Sequence, residues 1–160
     1  MTTLAVTHRR PAHTTPDDTH QRHHKHAKAE GRRTMSHIVA ADDDPGIRRV
    51  VERVLTRAGH TVDLCSDGHE LISEVRSQHP DAVVTDNEMP GITGLQARAE
   101  LLTTPDTADI PVVMATGSVT PEQAAETLQN GDRIVHKPFQ PSELRDAVQD
   151  VLIHRRPRQA

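Results

Sequence analysis

The sequence predicts an α/β fold, a doubly wound five-stranded parallel sheet with helices on both faces. Two observations carry this. From Ile38 onward, short apolar blocks of strand length alternate with amphipathic blocks of helical period. Five such alternations in a row need crossover connections, which pack helices on both sides of a buried sheet.

The elements follow in order. Ile38-Val39-Ala40-Ala41 reads as a buried strand running into Asp42-Asp43-Asp44, and Pro45 fits the first helical position with Asp44 as its N-cap. Ile47, Val50, Val51, Val54 and Leu55 then share one helical face, Arg48, Arg49, Glu52, Arg53 and Arg57 cover the other, and Gly59 stops the helix. Thr61–Cys65 is a second strand, followed by a turn at Asp67-Gly68. A helix with Leu71, Ile72 and Val75 inward ends near His79-Pro80. Ala82–Thr85 is the third strand and delivers Asp86 at its carboxyl end. After Pro90-Gly91, a helix is predicted to turn Leu95, Ala99 and Leu102 inward. Pro111–Thr116 is the fourth strand, Thr120-Pro121-Glu122 opens a fourth helix, Arg133–His136 is the fifth strand, and Pro141–Ile153 is the last of five helices.

Composition divides the chain. Residues 1–34 hold six of the twelve histidines and seven Lys/Arg against three Asp/Glu, which leaves twelve basic and twenty acidic residues for the remainder. Residues 1–36 therefore read as a disordered, His-rich basic extension, 37–154 as one domain, and 155–160 as a tail. His20, His23, His24 and His26 could take up Zn²⁺ or Ni²⁺ without a preformed site. Alternatively, the natural protein begins at Met35 and the extension is an upstream reading-frame addition. An acidic body argues against direct DNA binding. No apolar run is long enough for membrane insertion, no secretion signal is legible, and the lone Cys65 fits a reducing, cytoplasmic setting as a buried small apolar residue.

In an open sheet of this kind the functional crevice lies outside the carboxyl ends of the strands, where strand order reverses. The residues just past the strands are Asp42 and Asp43, Asp86, Thr116 and Lys137. Three converging carboxylates need a cation, and a hard divalent ion such as Mg²⁺ suits few carboxylates, water and a phosphate oxygen. Lys137 supplies a point charge and Thr116 a hydroxyl donor for a phosphoryl group, and a carboxylate can attack phosphorus.

Four segments resemble the receiver domains of bacterial two-component response regulators: Ile38–Arg48 (IVAADDDPGIR), Asp81–Gly94 (DAVVTDNEMPGITG), Pro111–Gly117 (PVVMATG) and Ile134–Phe139 (IVHKPF). The resemblance implies the flavodoxin-like strand order 2-1-3-4-5. It also implies Asp86 as phosphoacceptor, and Mg²⁺ held by Asp42, Asp43, Asp86 and the main-chain carbonyl of Glu88. Thr116 becomes the switch hydroxyl and Lys137 the partner of the acyl phosphate, with a cis Lys137-Pro138 bond. The partners it implies are a sensor histidine kinase or histidine phosphotransfer protein, and a downstream protein target.

The chain departs from that pattern where the family carries an aromatic residue on the fifth strand. Ile134 stands there, and Phe139 is the one aromatic residue in the sequence. The usual Gly-Ala segment before that strand appears as Asn130-Gly131, or with one residue deleted. Since few residues follow the last predicted helix, a stand-alone receiver is expected, with output through protein contacts or phosphorelay. Two other readings stay open: an adaptor that works without phosphorylation, and an aspartate-nucleophile phosphatase with Glu88 as its acid. His136 is expected at the surface, outside the chemistry.

Overall fold

Parallel strands that are buried on both faces need apolar side chains at every position, and the central strands here have them. The computed structural model describes residues 35–155. Its strands are β1 (His37–Ala41), β2 (Thr61–Cys65), β3 (Ala82–Thr85), β4 (Val112–Thr116) and β5 (Arg133–His136). They form one parallel sheet in the order β2-β1-β3-β4-β5. The fold class and strand order are as the sequence predicts. The expectations for residues 1–34 and 156–160 lie outside the described residues.

The two faces of the sheet hold separate cores, sorted by the period-2 alternation of strand side chains. Ile38, Ala40, Val84 and Val113 pack with Val51 and Leu55 of α1 (Pro45–Arg57) and with Leu144 and Val148 of the last helix. Val39, Ala41 and Val83 pack on the other face with Leu71 and Val75 of α2 (Gly68–Gln78) and Leu101 of α3 (Gly94–Leu102). Complete burial of residues such as Leu55 and Leu144 stabilises the fold by about 1.5–3 kcal/mol each before entropy is charged.

Six helices are present among the described residues, not five. The addition is α4 (Pro105–Ala108), a single turn opened by Pro105 and ending before β4. The helices after it are α5 (Pro121–Gln129) and α6 (Pro141–Ile153). Helix starts follow local capping chemistry. Asp44 accepts from the Gly46 and Ile47 amides at 2.6 and 3.2 Å, and Thr93 and Thr120 close capping boxes with Gln96 and Gln123. Gly59, at φ +95°, turns the chain after α1.

Three local expectations are corrected. Asp67-Gly68 is not a free turn: Asp67 caps α2 and Gly68 begins it. Val50 lies 43% exposed rather than on the inner face of α1, which Val51 and Leu55 occupy. The inner face of α3 is Gly94, Ala97, Arg98 and Leu101, while Ala99 and Leu102 face solvent. The cause is Arg98, whose guanidinium turns inward to the buried Asp132 with Nε–Oδ2 at 2.7 Å and Nη2–Oδ1 at 3.1 Å. Asp132 also accepts from the Val112 amide at 2.9 Å, and Arg98 Nη1 donates to the Ile110 carbonyl at 3.1 Å. This pair ties α3 to the starts of β4 and β5.

Candidate functional site

The strand order reverses between β1 and β3, and the residues past their carboxyl ends meet there. Ala41 is level with Thr85 in the sheet, so Asp42 and Asp86 emerge side by side. The Asp86 amide donates to the Ala41 carbonyl at 2.9 Å, and the Asp42 amide to the Cys65 carbonyl at 3.3 Å, which fixes both exits to the sheet. Asp42 and Asp86 are buried while Asp43 is exposed. One carboxylate oxygen from each of the three lies within 4.8 Å of the others.

Lys137 follows β5, its amide held by the Thr116 carbonyl at 2.9 Å. Its Nζ reaches Asp42 Oδ2 at 2.7 Å and Asp86 Oδ2 at 3.3 Å. Burial works to lower the lysine, but the bond and charge of Asp42 and the charge of Asp86 outweigh it and hold Lys137 above its ordinary value. Burial pushes the Asp86 carboxyl up, and the Lys137 charge and a main-chain hydrogen bond from Glu88 oppose this only in part. The Lys137-Pro138 peptide is cis.

The acidic cluster fits a hard cation on its own chemistry. Asp86 Oδ1 is buried and has no hydrogen-bond partner among the described residues, although a buried carboxylate oxygen is costly to leave unsatisfied. Lys137 neutralises one charge among three. A divalent ion would serve the orphaned oxygen and relieve the remaining repulsion at once, and an all-oxygen donor set suits Mg²⁺.

Thr116 is fully buried at the end of β4, and its hydroxyl engages its own loop. Oγ1 donates to the Ser118 carbonyl at 3.2 Å and accepts from the Ser118 amide at 3.4 Å. Among the described residues no hydrogen bond joins this hydroxyl to Asp86 or Lys137. The Glu88 carboxylate accepts from Ser118 Oγ at 2.5 Å, so a side-chain bridge crosses from the β3–α3 loop to the β4–α5 loop. His136 is exposed, apart from the cluster, as expected. Cys65 is buried, and burial together with the carboxylates of Glu70 and Glu74 pushes its thiol up to about 12.

Two features of the site were not read from the sequence. Asn87 pins the loop after β3 to α3: its side-chain oxygen accepts from the Leu95 amide and its carbonyl from the Gly94 amide, both at 3.1 Å. Arg48, which helical period assigns to the solvent face, instead donates to the carbonyls of Asp42 and Asp43. Such side-chain bonds to nearby backbone leave no periodic signal. Gly94 is required sterically, because a Cβ there would stand 2.2 Å from the Asp86 carbonyl oxygen.

The sheet order, the acid cluster between β1 and β3 and the lysine past β5 make an open α/β sheet with a charged crevice at its topological switch point. Comparison with known proteins gives the family: the profile of the response regulator receiver domain matches residues 38–149, and the chain belongs to that family. Response regulator MprA of Mycolicibacterium vanbaalenii is 37% identical over 107 residues, 67% of this chain and 46% of that protein. The chain thus spans about half the length of the curated relatives it matches. Among solved structures, chemotaxis response regulator CheY4 of Vibrio cholerae superposes with a TM-score of 0.67 at 29% identity, covering 74% of this chain and 99% of that one. Response regulator TrrA of Thermotoga maritima, in complex with Mg(2+)-BeF, gives 0.64 at 28% identity, covering 73% and 99%. Among the described residues no helix is long and apolar enough to cross a membrane.

Proposed function

We propose that this chain is a response regulator that accepts a phosphoryl group on Asp86 from a phosphohistidine donor, in a Mg²⁺-dependent reaction. The observation that carries this is the pairing of a buried, partly unsatisfied Asp86 carboxylate with two further aspartates and Lys137 at one sheet edge. Asp42, Asp43, Asp86 and the main-chain carbonyl of Glu88 would hold the ion. Bound there, Mg²⁺ supplies charge neutralisation for carboxylates and phosphoryl oxygens.

The chain's own residues do the rest. An Asp86 carboxylate oxygen attacks phosphorus, a P–O bond forms as the donor P–N bond breaks, and the imidazole leaves with its electron pair and takes up a proton. Lys137 already lies 3.3 Å from Asp86. It follows the charge onto the new phosphoryl group, giving up its shorter contact with Asp42. Thr116 leaves Ser118 and donates to a phosphoryl oxygen. That movement breaks the bonds of Thr116 with Ser118 and slackens the bridge to Glu88, so the β4–α5 loop shifts.

The donor is a sensor histidine kinase or a histidine phosphotransfer protein. Output passes to a downstream protein target, or onward by phosphorelay, through the face of α5, β5 and α6. The packing favours α5 as the responding element: Thr127 is the one residue of that helix that is buried, and Leu128 is 53% exposed. A helix with so little buried surface repositions at small cost. The acidic domain itself makes no direct DNA contact and works in the cytoplasm. Intact-mass measurement after incubation with acetyl phosphate tests the reading. One phosphoryl increment is expected, lost on chelation of Mg²⁺ and in Asp86→Asn. An intact fold that takes no increment would point to the phosphorylation-independent adaptor, a role the missing aromatic at Ile134 would suit.

A further inference from the structure

Arg48 is a cation beside the acidic cluster for which the reaction above has no role. It lies in the first turns of α1, and one nitrogen, Nη1, donates to two successive main-chain carbonyls, Asp42 at 2.6 Å and Asp43 at 3.2 Å. It makes no ion pair with a carboxylate among the described residues. The same turn is closed from within by the Asp44 amide, which donates to Asp42 Oδ1 at 2.9 Å, and by the Asp44 cap on Gly46 and Ile47. The guanidinium is therefore anchored on backbone alone, and the backbone it holds is that of the two acids.

We infer that Arg48 is a positioning residue of the Mg²⁺ site: by holding the carbonyls of Asp42 and Asp43, it fixes where their carboxylates point. The inference rests on the Mg²⁺-dependent reading above. Rotation of either peptide unit swings the attached side chain, and Mg²⁺ demands near-octahedral oxygen placement. Groups that orient metal ligands typically contribute 10–100-fold in metal affinity. The guanidinium charge acts in the opposite direction, since a cation beside a divalent site repels the ion. The sign of the effect on removing Arg48 therefore separates the two roles. A bystander charge, once removed, leaves Mg²⁺ bound more tightly; an anchor, once removed, leaves it bound more weakly.

The test is a Mg²⁺ titration of the full chain, following the amide chemical shifts of Asp42, Asp43 and Asp86. It compares the unaltered protein with Arg48→Met, Arg48→Lys and Arg49→Met. Arg49 is the exposed neighbour and controls for loss of surface charge. Arg48→Met is expected to weaken Mg²⁺ binding about 10-fold or more. Arg48→Lys keeps the charge but presents a single point donor, and should fall between the two. Arg49→Met should match the unaltered protein. Should Arg48→Met fail to fold, Arg48→Lys carries the comparison, with unweakened affinity as the refuting result. Affinity in Arg48→Met equal to or tighter than in the unaltered protein would overturn the inference while leaving the Mg²⁺ reading in place. Absence of Mg²⁺ binding in the unaltered protein would overturn both.

Discussion

Removing the Arg98 guanidinium should cost this domain a large share of its stability. Asp132 is 0% exposed and accepts three hydrogen bonds, two from Arg98 and one from the Val112 amide. Arg98→Met keeps most of the side-chain volume but leaves a buried carboxylate with one donor. Breaking one side of such a pair costs about 3–5 kcal/mol, against a total of roughly 5–15 kcal/mol for a typical domain. At this chain length that corresponds to a fall in Tm on the order of 15 °C. Urea unfolding followed by circular dichroism at 222 nm gives the free energy directly. The double variant Arg98→Met with Asp132→Asn should recover a large part of the loss, since the amide oxygen can still accept from Val112 and no charge remains buried. The pH dependence has a definite sign. Burial raises the Asp132 carboxyl on folding, with the Arg98 charge and the Val112 amide opposing it. A carboxyl raised on folding costs stability above its folded pKa, and that cost vanishes below its unfolded value of about 3.9. Without Arg98 the upward shift grows, so the deficit of Arg98→Met should be larger at pH 8 than at pH 5. A single-variant loss below about 1 kcal/mol at pH 8 would refute the assignment of Arg98 and Asp132 as a buried structural pair.

Three other outcomes follow from the geometry. Gly94→Ala should unfold or severely destabilise the domain, because the added methyl meets the Asp86 carbonyl oxygen at 2.2 Å and Met114 Sδ at 2.9 Å; overpacking of this kind costs about 1–3 kcal/mol or more of unfolding free energy, read from urea denaturation. Asp44→Ala should lose about 1 kcal/mol by the same assay through loss of the α1 cap. Cys65, raised to about 12, should be unreactive towards a thiol-specific disulfide reagent at pH 8 in the native protein and react fully in denaturant; fast native labelling would contradict its burial.

Strand ends and helix starts were legible because each is punctuated locally. Asp44-Pro45, Thr120-Pro121 and Gly59 carry their meaning in one or two residues, and the apolar blocks between them are short and uninterrupted. The convergence of Asp42, Asp43, Asp86 and Lys137 was legible for a different reason. In a parallel doubly wound sheet every strand ends on the same edge, so position past a strand is already position in the crevice. The phase of α3 was hidden, because a leucine-based reading cannot foresee that Arg98 turns inward to a partner 34 residues away. The single turn α4 was hidden because four residues do not complete a hydrophobic period. Arg48 was assigned to solvent by the same helical period that placed Val51 and Leu55 correctly. Its anchor is main-chain carbonyl, which has no residue identity to read. The Ser118–Glu88 bridge likewise depends on two loops meeting across the sheet edge.

The central claim is that Asp86 itself carries the phosphoryl group. Borohydride reduction of the phosphorylated chain converts an aspartyl phosphate to homoserine, and peptide mass mapping then locates it. The account predicts homoserine at position 86 alone, in an amount that tracks the intact-mass increment and disappears when Mg²⁺ is chelated. Homoserine at position 42 or 43, or a phosphoryl increment that leaves no reducible aspartate at position 86, would contradict it.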